Sequence, residues 1–134
     1  MFRRVKGPIL VVDDHEDTRE MVAALLVENG LVVLQASNGR EALDRLIAAE
    51  EAGETVPFLI LLDLEMPVMT GWEFLTTIRT YAHLSTIPVV ITSGSHKACE
   101  IVLNSPIVAF LPKPAGVDLL LDTIGRLAPL AASG

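Results

Sequence analysis

Cysteine is almost missing from this chain of 134 residues, which contains only Cys99. A single cysteine cannot close a disulfide within the chain, and no CxxC pair is present. Neither a disulfide-stapled fold nor a cysteine-based zinc site is therefore indicated. Cys99 itself is expected to be a small, partly buried apolar side chain, as free cysteines usually are.

Long apolar runs are also absent, although 51% of the residues are hydrophobic. The apolar runs are short stretches such as FLILL at 58–62, whereas a membrane-spanning helix needs roughly 18 to 20 apolar residues. The opening MFRRVKGPILVVDD places basic residues before an apolar segment that is too short for a signal peptide. We therefore expect a soluble, cytoplasmic protein with no membrane association.

Basic residues are scarce, and the formal net charge is −7. Proteins that bind nucleic acid usually display clustered lysine and arginine, so direct binding of nucleic acid is not expected. The length suits one domain, and no repeat or low-complexity segment interrupts the chain. We predict a single domain over residues 1–134, with residues 1–7 as an N-terminal extension and residues 129–134 as a short tail.

Short apolar runs alternate with amphipathic stretches along almost the whole chain. Runs that are apolar throughout are typical of strands covered on both faces, and the β-helix-β order requires right-handed crossovers into a parallel sheet. We therefore predict an α/β domain with a doubly wound, five-stranded parallel sheet and helices on both faces. The predicted strands are residues 9–12, 31–36, 58–62, 88–92 and 107–111. The predicted helices carry apolar residues at helical spacing: Met21, Ala24 and Leu25; Leu43, Leu46 and Ile47; Trp72, Leu75 and Ile78; and Val117, Leu120, Leu121, Ile124 and Leu127.

Polar residues that could take part in catalysis or binding follow four of the five strands, at the sheet edge where such folds collect functional groups. Asp13 and Asp14 follow the first strand, Asp63 the third, Ser93 the fourth and Lys113 the fifth. Each has an ordinary structural explanation when taken alone, since acids and serines cap helices and lysines are usually solvated. Their joint placement is not required by structure and indicates a functional site.

Three carboxylates gathered at one edge repel one another, and a hard divalent cation relieves that repulsion. Mg²⁺ suits oxygen ligands and is commonly held by one or two carboxylates together with phosphate oxygens. A carboxylate beside such an ion can attack phosphorus and form an aspartyl-phosphate. A nearby lysine and hydroxyl would then donate hydrogen bonds to the phosphoryl oxygens.

The segments VVDDHED, LLDLEMPVMTGWE, IPVVITSG and FLPKP carry these residues, in this order. Together they resemble the receiver domains of bacterial two-component response regulators, typified by the stand-alone chemotaxis regulator, over about residues 7–127. The resemblance implies the flavodoxin-like strand order 2-1-3-4-5. It also implies that Asp63 accepts a phosphoryl group and that Asp13, Asp14 and Asp63 hold Mg²⁺ with the backbone carbonyl of Glu65.

The same resemblance implies a switch. Ser93 would hydrogen-bond the phosphoryl group, Lys113 would pair with it, and Lys113–Pro114 would be a cis peptide. Phe110 falls at the family's switch aromatic, where a phenylalanine cannot donate the hydrogen bond of a tyrosine. The segment between Ser93 and Phe110 departs from the family: Gly94 replaces the usual alanine, the span is shorter and the common Gly-Ala turn is missing. A short or irregular helix is therefore expected there.

The function implied is phosphorylation by the phosphohistidine of a sensor histidine kinase or a histidine phosphotransfer protein. The phosphorylated chain would switch a protein-interaction surface, form a homodimer or relay the phosphoryl group. Its catalysis would be limited to its own aspartyl phosphorylation and dephosphorylation. Of its three histidines, His15 lies at the rim of the site, where it either tunes phosphoryl transfer or is simply solvated, and His83 and His96 look like loop or helix-end residues.

Two alternatives come from other functional classes. A phosphatase of the haloacid-dehalogenase type would carry a D-x-D-x-T pattern, but here Asp63-Leu64-Glu65 is followed by Met66-Pro67, so the second aspartate is missing. A degenerate receiver could act as an interaction module without phosphorylation, yet the acids and the lysine are all present. A flavodoxin-like nucleotide carrier is discarded, because no glycine-rich phosphate loop follows the first strand.

Overall fold

The computed structural model describes residues 7–63, 66, 68–93, 108–112 and 116–132. Strands and helices alternate along these ranges, as the sequence predicts. The strands are β1 (Ile9–Val12), β2 (Val33–Ala36), β3 (Leu59–Asp63), β4 (Val89–Ser93) and β5 (Val108–Pro112). The helices are α1 (Glu16–Glu28), α2 (Gly39–Glu51), α3 (Gly71–Ile78) and α4 (Val117–Ala132).

The five strands form one parallel sheet in the order β2-β1-β3-β4-β5, which confirms the predicted architecture. From β1 the chain moves outward to β2 and then returns across β1 to form β3. The order therefore reverses between β1 and β3, and side chains beyond the carboxyl ends of these strands face a crevice. This reversal places the two predicted acidic segments next to each other.

Side chains that alternate along the strands form two separate cores, one on each face of the sheet. On one face, Leu10, Ile60 and Ile91 pack with side chains of α2 and α3. On the other face, Val11 and Leu61 pack with side chains of α1 and α4. Because both faces are covered, every residue of β1 and β3 is buried, and this explains why those strands are apolar up to Asp63 at the end of β3.

The buried faces of α2 and α3 match the predicted ones, but those of α1 and α4 differ in part. In α1, Met21 is 67% exposed, whereas Ala23 and Leu26 are buried. Residues 21–27 of α1 are all apolar, so apolar side chains lie on every side of the helix and their spacing does not identify the side that packs on the sheet. In α4, Leu120 and Ile124 are buried, while Val117 in the first turn is 51% exposed.

Among the described helices none is long and apolar enough to cross a membrane.

The segment after β3 is held by a capping box at the start of α3. The hydroxyl of Thr70 accepts from the Glu73 backbone N–H (3.2 Å), and the Glu73 carboxylate accepts from the Thr70 N–H (3.1 Å). Gly39 of α2 lies against the same segment, where an added Cβ would stand 3.0 Å from the Met69 carbonyl oxygen. A side chain here would press on the Met69 backbone, so glycine favours this close approach.

The loop from β2 into α2 lies beside the first acidic segment and is closed by Glu41. The Glu41 carboxylate accepts from the Ser37 hydroxyl (2.7 Å) and the Ser37 N–H (3.2 Å), and Asn38 caps the helix through the Glu41 N–H (2.8 Å). The hydrogen bond from the Ser37 hydroxyl, followed by the one from its backbone, lowers the pKa of Glu41 below its ordinary value of 4.5, and Arg45 contributes.

Glu41→Gln should destabilise the fold at neutral pH by about 0.5 kcal/mol, a small effect because solvent screens this partly exposed carboxylate. A lowered pKa means that the stabilisation is complete above 4.5 and is lost as pH falls through the lower folded-state value. The difference in unfolding free energy between wild type and variant, measured by denaturant titration, should therefore shrink on acidification. Glu51→Gln, the same charge change at the exposed end of α2, is the control; equal behaviour of both variants would contradict the assignment.

Candidate functional site

The first and third strands bring two acids side by side at the carboxyl edge of the sheet. Val12 of β1 pairs in register with Leu62 of β3, so the next residues of the two strands, Asp13 and Asp63, are neighbours. Both are buried, with 6% and 3% of their surface exposed. Apolar strands end here in charged groups, and water hydrates them only from the open edge.

Asp14 and His15 complete a compact group with these two acids. One ligand atom from each of Asp13, Asp14, His15 and Asp63 lies within 4.8 Å of all the others. Carboxylate oxygens dominate the set, and these are the ligands that hard divalent cations prefer. Here we call these four residues the acidic cluster.

One oxygen of Asp14 is left without a hydrogen bond. Its Oδ1 is inaccessible to solvent and has no hydrogen-bond partner within the part of the chain that the structure describes. The Nδ1 of His15 stands 3.2 Å away, within ion-pair distance. A buried carboxylate oxygen without a hydrogen bond is costly, and a bound cation would reduce that cost.

The turn that carries Asp13 is braced by an arginine from α1. The Nη1 of Arg19 donates to the Asp13 carbonyl oxygen (2.9 Å), and its Nε donates to Oε1 of Gln35 in β2 (3.1 Å). The backbone N–H of Asp13 donates to the Ala36 carbonyl (3.1 Å), and its Oδ1 accepts from the His15 N–H (2.9 Å). Main chain and side chain of Asp13 are both fixed.

A cavity of about 400 Å³ opens beside the cluster. Asp13, His15, Thr18 and Thr92 contribute polar atoms to its wall, and the remaining lining is apolar, from β1, α1, β3 and α4. The acidic cluster thus borders a space that can admit water or part of a ligand.

The other predicted site residues are described only in part. Ser93 is the last residue of β4, in register with Pro112, and Phe110 lies in β5 opposite Ile91. Ser93 thus ends β4 at the carboxyl edge, and Phe110 lies in the middle of β5; the roles expected of both stay predictions. Glu65, Lys113 and Pro114 lie outside the described residues, as does the segment expected to hold an irregular helix, so those expectations stay predictions.

Two contributions were not predicted from the sequence: the brace formed by Arg19 and the orientation of the His15 ring. Gln35 gave a usable signal, since a polar residue within an apolar strand needs a partner. Arg19 stands one helical turn after His15, and it could have been proposed from the sequence as the partner of Gln35. No pattern in the sequence indicated which way the His15 side chain turns.

Comparison with known proteins agrees with this geometry. A family model described as "Response regulator receiver domain" matches residues 9–125. The CAI-1 autoinducer sensor kinase/phosphatase CqsS of Vibrio cholerae is 35% identical over 119 residues, which cover 87% of this chain and 16% of CqsS. The chain thus spans about a sixth of the length of that relative.

Solved structures show the same fold. The chemotaxis protein CheY4 of Vibrio cholerae is 30% identical and aligns over 90% of this chain and 98% of its own, with a TM-score of 0.76. The response regulator protein TrrA of Thermotoga maritima, in complex with Mg(2+)-BeF, is 25% identical and covers 91% of this chain and 99% of its own, with a TM-score of 0.76.

Proposed function

The chain belongs to the response regulator receiver domains of two-component signalling, and from this membership we propose that it accepts a phosphoryl group on Asp63. The donor is the phosphohistidine of a sensor histidine kinase or of a histidine phosphotransfer protein. One observation carries the proposal: Asp63 is buried at the end of β3, within the cluster of carboxylates at the carboxyl edge. A strand-ending cap would not require two further acids around it.

Mg²⁺ is the proposed cofactor, and the residues present fit it. Asp13, Asp14 and Asp63 would hold the ion through carboxylate oxygens, and Glu65 through its backbone carbonyl. The buried Oδ1 of Asp14, which has no hydrogen bond from any described residue, supports this proposal, as does the Mg(2+)-BeF complex of the related TrrA. When bound, the ion would neutralise negative charge on the acids and the transferring phosphoryl group.

The nucleophile in this proposal is a carboxylate oxygen of Asp63. It attacks the phosphorus atom, an acyl-phosphate bond forms, and the bond from phosphorus to the donor imidazole breaks, leaving its electron pair on nitrogen. The hydrogen-bonded sheet holds Asp63 in place, which lowers the entropy lost in reaching the reacting geometry. Ser93 and Lys113 are proposed to donate hydrogen bonds to the phosphoryl oxygens.

The output is proposed to be a change of protein-interaction surface, coupled to the phosphoryl group through Ser93 and Phe110. Ser93 ends β4, and Phe110 lies on the neighbouring edge strand β5, so a shift at the phosphoryl group has a short route to the sheet edge. Binding of a partner protein, formation of a homodimer and relay of the phosphoryl group are the three outputs open to such a domain. The relative CqsS, a sensor kinase/phosphatase, supports a kinase as the upstream partner.

Incubation with acetyl phosphate or phosphoramidate should add one phosphoryl group to the wild-type chain in the presence of Mg²⁺ and none after chelation. Asp63→Asn should abolish the addition while leaving the fold intact, because the amide keeps the shape of the side chain and is not a nucleophile. Intact mass measures the gain, and loss of the label on hydroxylamine treatment identifies an acyl phosphate.

Asp118→Asn, the same change at an exposed position of α4, is the matched control and should be phosphorylated like the wild type. Near-stoichiometric phosphorylation of the Asp63→Asn variant would contradict the assignment of Asp63 as the phosphoacceptor. Absence of any gain in the wild type with both donors would favour an interaction module that works without phosphorylation.

Lys113→Ala should still accept the phosphoryl group but respond to it more weakly, because the cation that pairs with the phosphoryl oxygens is gone. Trp72 is the only tryptophan and lies in the first turn of α3, so its fluorescence reports changes beside the site. Lys113→Arg keeps a cation and should retain much of the response. A full response in the alanine variant, at equal phosphorylation by intact mass, would remove Lys113 from the mechanism.

A further inference from the structure

His15 is a histidine with an unusual position at the start of α1. It occupies the N-cap position, but its side chain makes no capping hydrogen bond. Although 69% of the side chain is exposed, the Nδ1 atom lies 3.2 Å from Oδ1 of Asp14 and 3.4 Å from Oδ1 of Asp13. The ring therefore faces the acidic cluster and not the helix.

These contacts place the imidazole nitrogen within ion-pair distance of both carboxylates, where a shared cation could also be bound. Oδ1 of Asp14 has no hydrogen-bond partner among the described residues, even though the imidazole nitrogen is close enough to be one. Oδ1 of Asp13 already accepts from the backbone N–H of His15. The imidazole nitrogen thus adds a potential ligand atom beside the carboxylates without satisfying the buried oxygen of Asp14.

The spacing matches an octahedral coordination sphere. Ligands about 2.1 Å from a cation stand about 3 Å apart when they are neighbours and about 4.2 Å apart when they are opposite. The separations of 3.2 and 3.4 Å are close to the first value. All four ligand atoms lie within 4.8 Å of one another, somewhat more than the second value. Small side-chain shifts would let all four residues contact one ion.

We propose that His15 supplies an imidazole ligand to the cation site of this chain, which raises the affinity for first-row transition cations such as Mn²⁺, Co²⁺ and Ni²⁺ relative to the affinity for Mg²⁺. This inference rests on the proposed function, since the cation is the one that the acids would hold. It assigns to one residue a stronger preference than carboxylates alone provide.

The physical reason lies in the nitrogen donor. Mg²⁺ is a hard cation that prefers oxygen ligands and keeps several waters. Imidazole binds later first-row metals strongly, and affinity at a mixed nitrogen and oxygen site rises from Mn²⁺ to Ni²⁺. Adding His15 to three carboxylates therefore raises affinity for Ni²⁺ much more than affinity for Mg²⁺. The adjacent cavity, bordered by Asp13 and His15, leaves room for the remaining water ligands.

The test is a pair of calorimetric titrations, with Ni²⁺ and with Mg²⁺, on the untagged full chain after removal of metals by chelation. His15→Ala should lower the ratio of Ni²⁺ to Mg²⁺ affinity by about tenfold or more. His83→Ala removes another exposed imidazole, on the segment before β4, and should leave the ratio unchanged. Pulsed electron paramagnetic resonance of the Mn²⁺-loaded wild type should show coupling to a directly bound nitrogen, which disappears in His15→Ala.

An unchanged affinity ratio in His15→Ala, or an absence of nitrogen coupling in the Mn²⁺-loaded wild type, would overturn the inference. Neither measurement depends on phosphoryl transfer. The intact-mass assay of Asp63 phosphorylation on the same protein then separates the two proposals. Nitrogen coupling without phosphorylation would support His15 as a metal ligand and contradict the proposed function. Phosphorylation without nitrogen coupling would contradict only the role of His15.

Discussion

Repulsion among carboxylates gathered at the carboxyl edge is the constraint on which the rest of this structure depends. Charged groups leave water at a high cost, and like charges in contact add to it. The fold tolerates two such buried acids, Asp13 and Asp63, because each is anchored at the end of a strand embedded in the sheet. A bound cation, as proposed above, would relieve this repulsion.

The anchoring comes from the main chain and from neighbours outside the cluster. Asp13 is fixed by the β2 backbone and by the bond from Arg19 to its carbonyl oxygen. On the next loop, Glu41 closes the turn after β2 through Ser37. These contacts fix the turns on both sides of the acidic cluster.

The two cores have a related role, since they make the sheet a rigid platform. Each strand residue packs on one face or the other, and a displacement along the strands would break contacts on both faces. β3 is central in the sheet, with strands paired on both sides, so Asp63 sits on its most constrained part. The β4–β5 side ends at a sheet edge, and its outer strand has only one neighbour. The proposed response to phosphorylation would be easier to accommodate on that side.

Much of the fold and of the acidic cluster could be predicted from sequence, because both depend on patterns of neighbouring residues along the chain. Apolar runs of strand length, helical spacing and acids at the ends of strands predicted the architecture and the meeting of Asp13, Asp14 and Asp63. The buried side of α1 was predicted wrongly, since apolar residues surround that helix and only packing against the sheet selects Ala23 and Leu26. The brace of Arg19 on Asp13 and Gln35 joins residues of separate elements, so no local pattern contains it.

By itself, therefore, the sequence determined which residues end the strands and that a parallel sheet would gather them, because strand periodicity and connection handedness are local properties of the chain. Only the tertiary structure decided the finer arrangement at that edge. The direction of the His15 ring and the unpaired oxygen of Asp14 depend on contacts among side chains whose rotamers are chosen once the elements are packed.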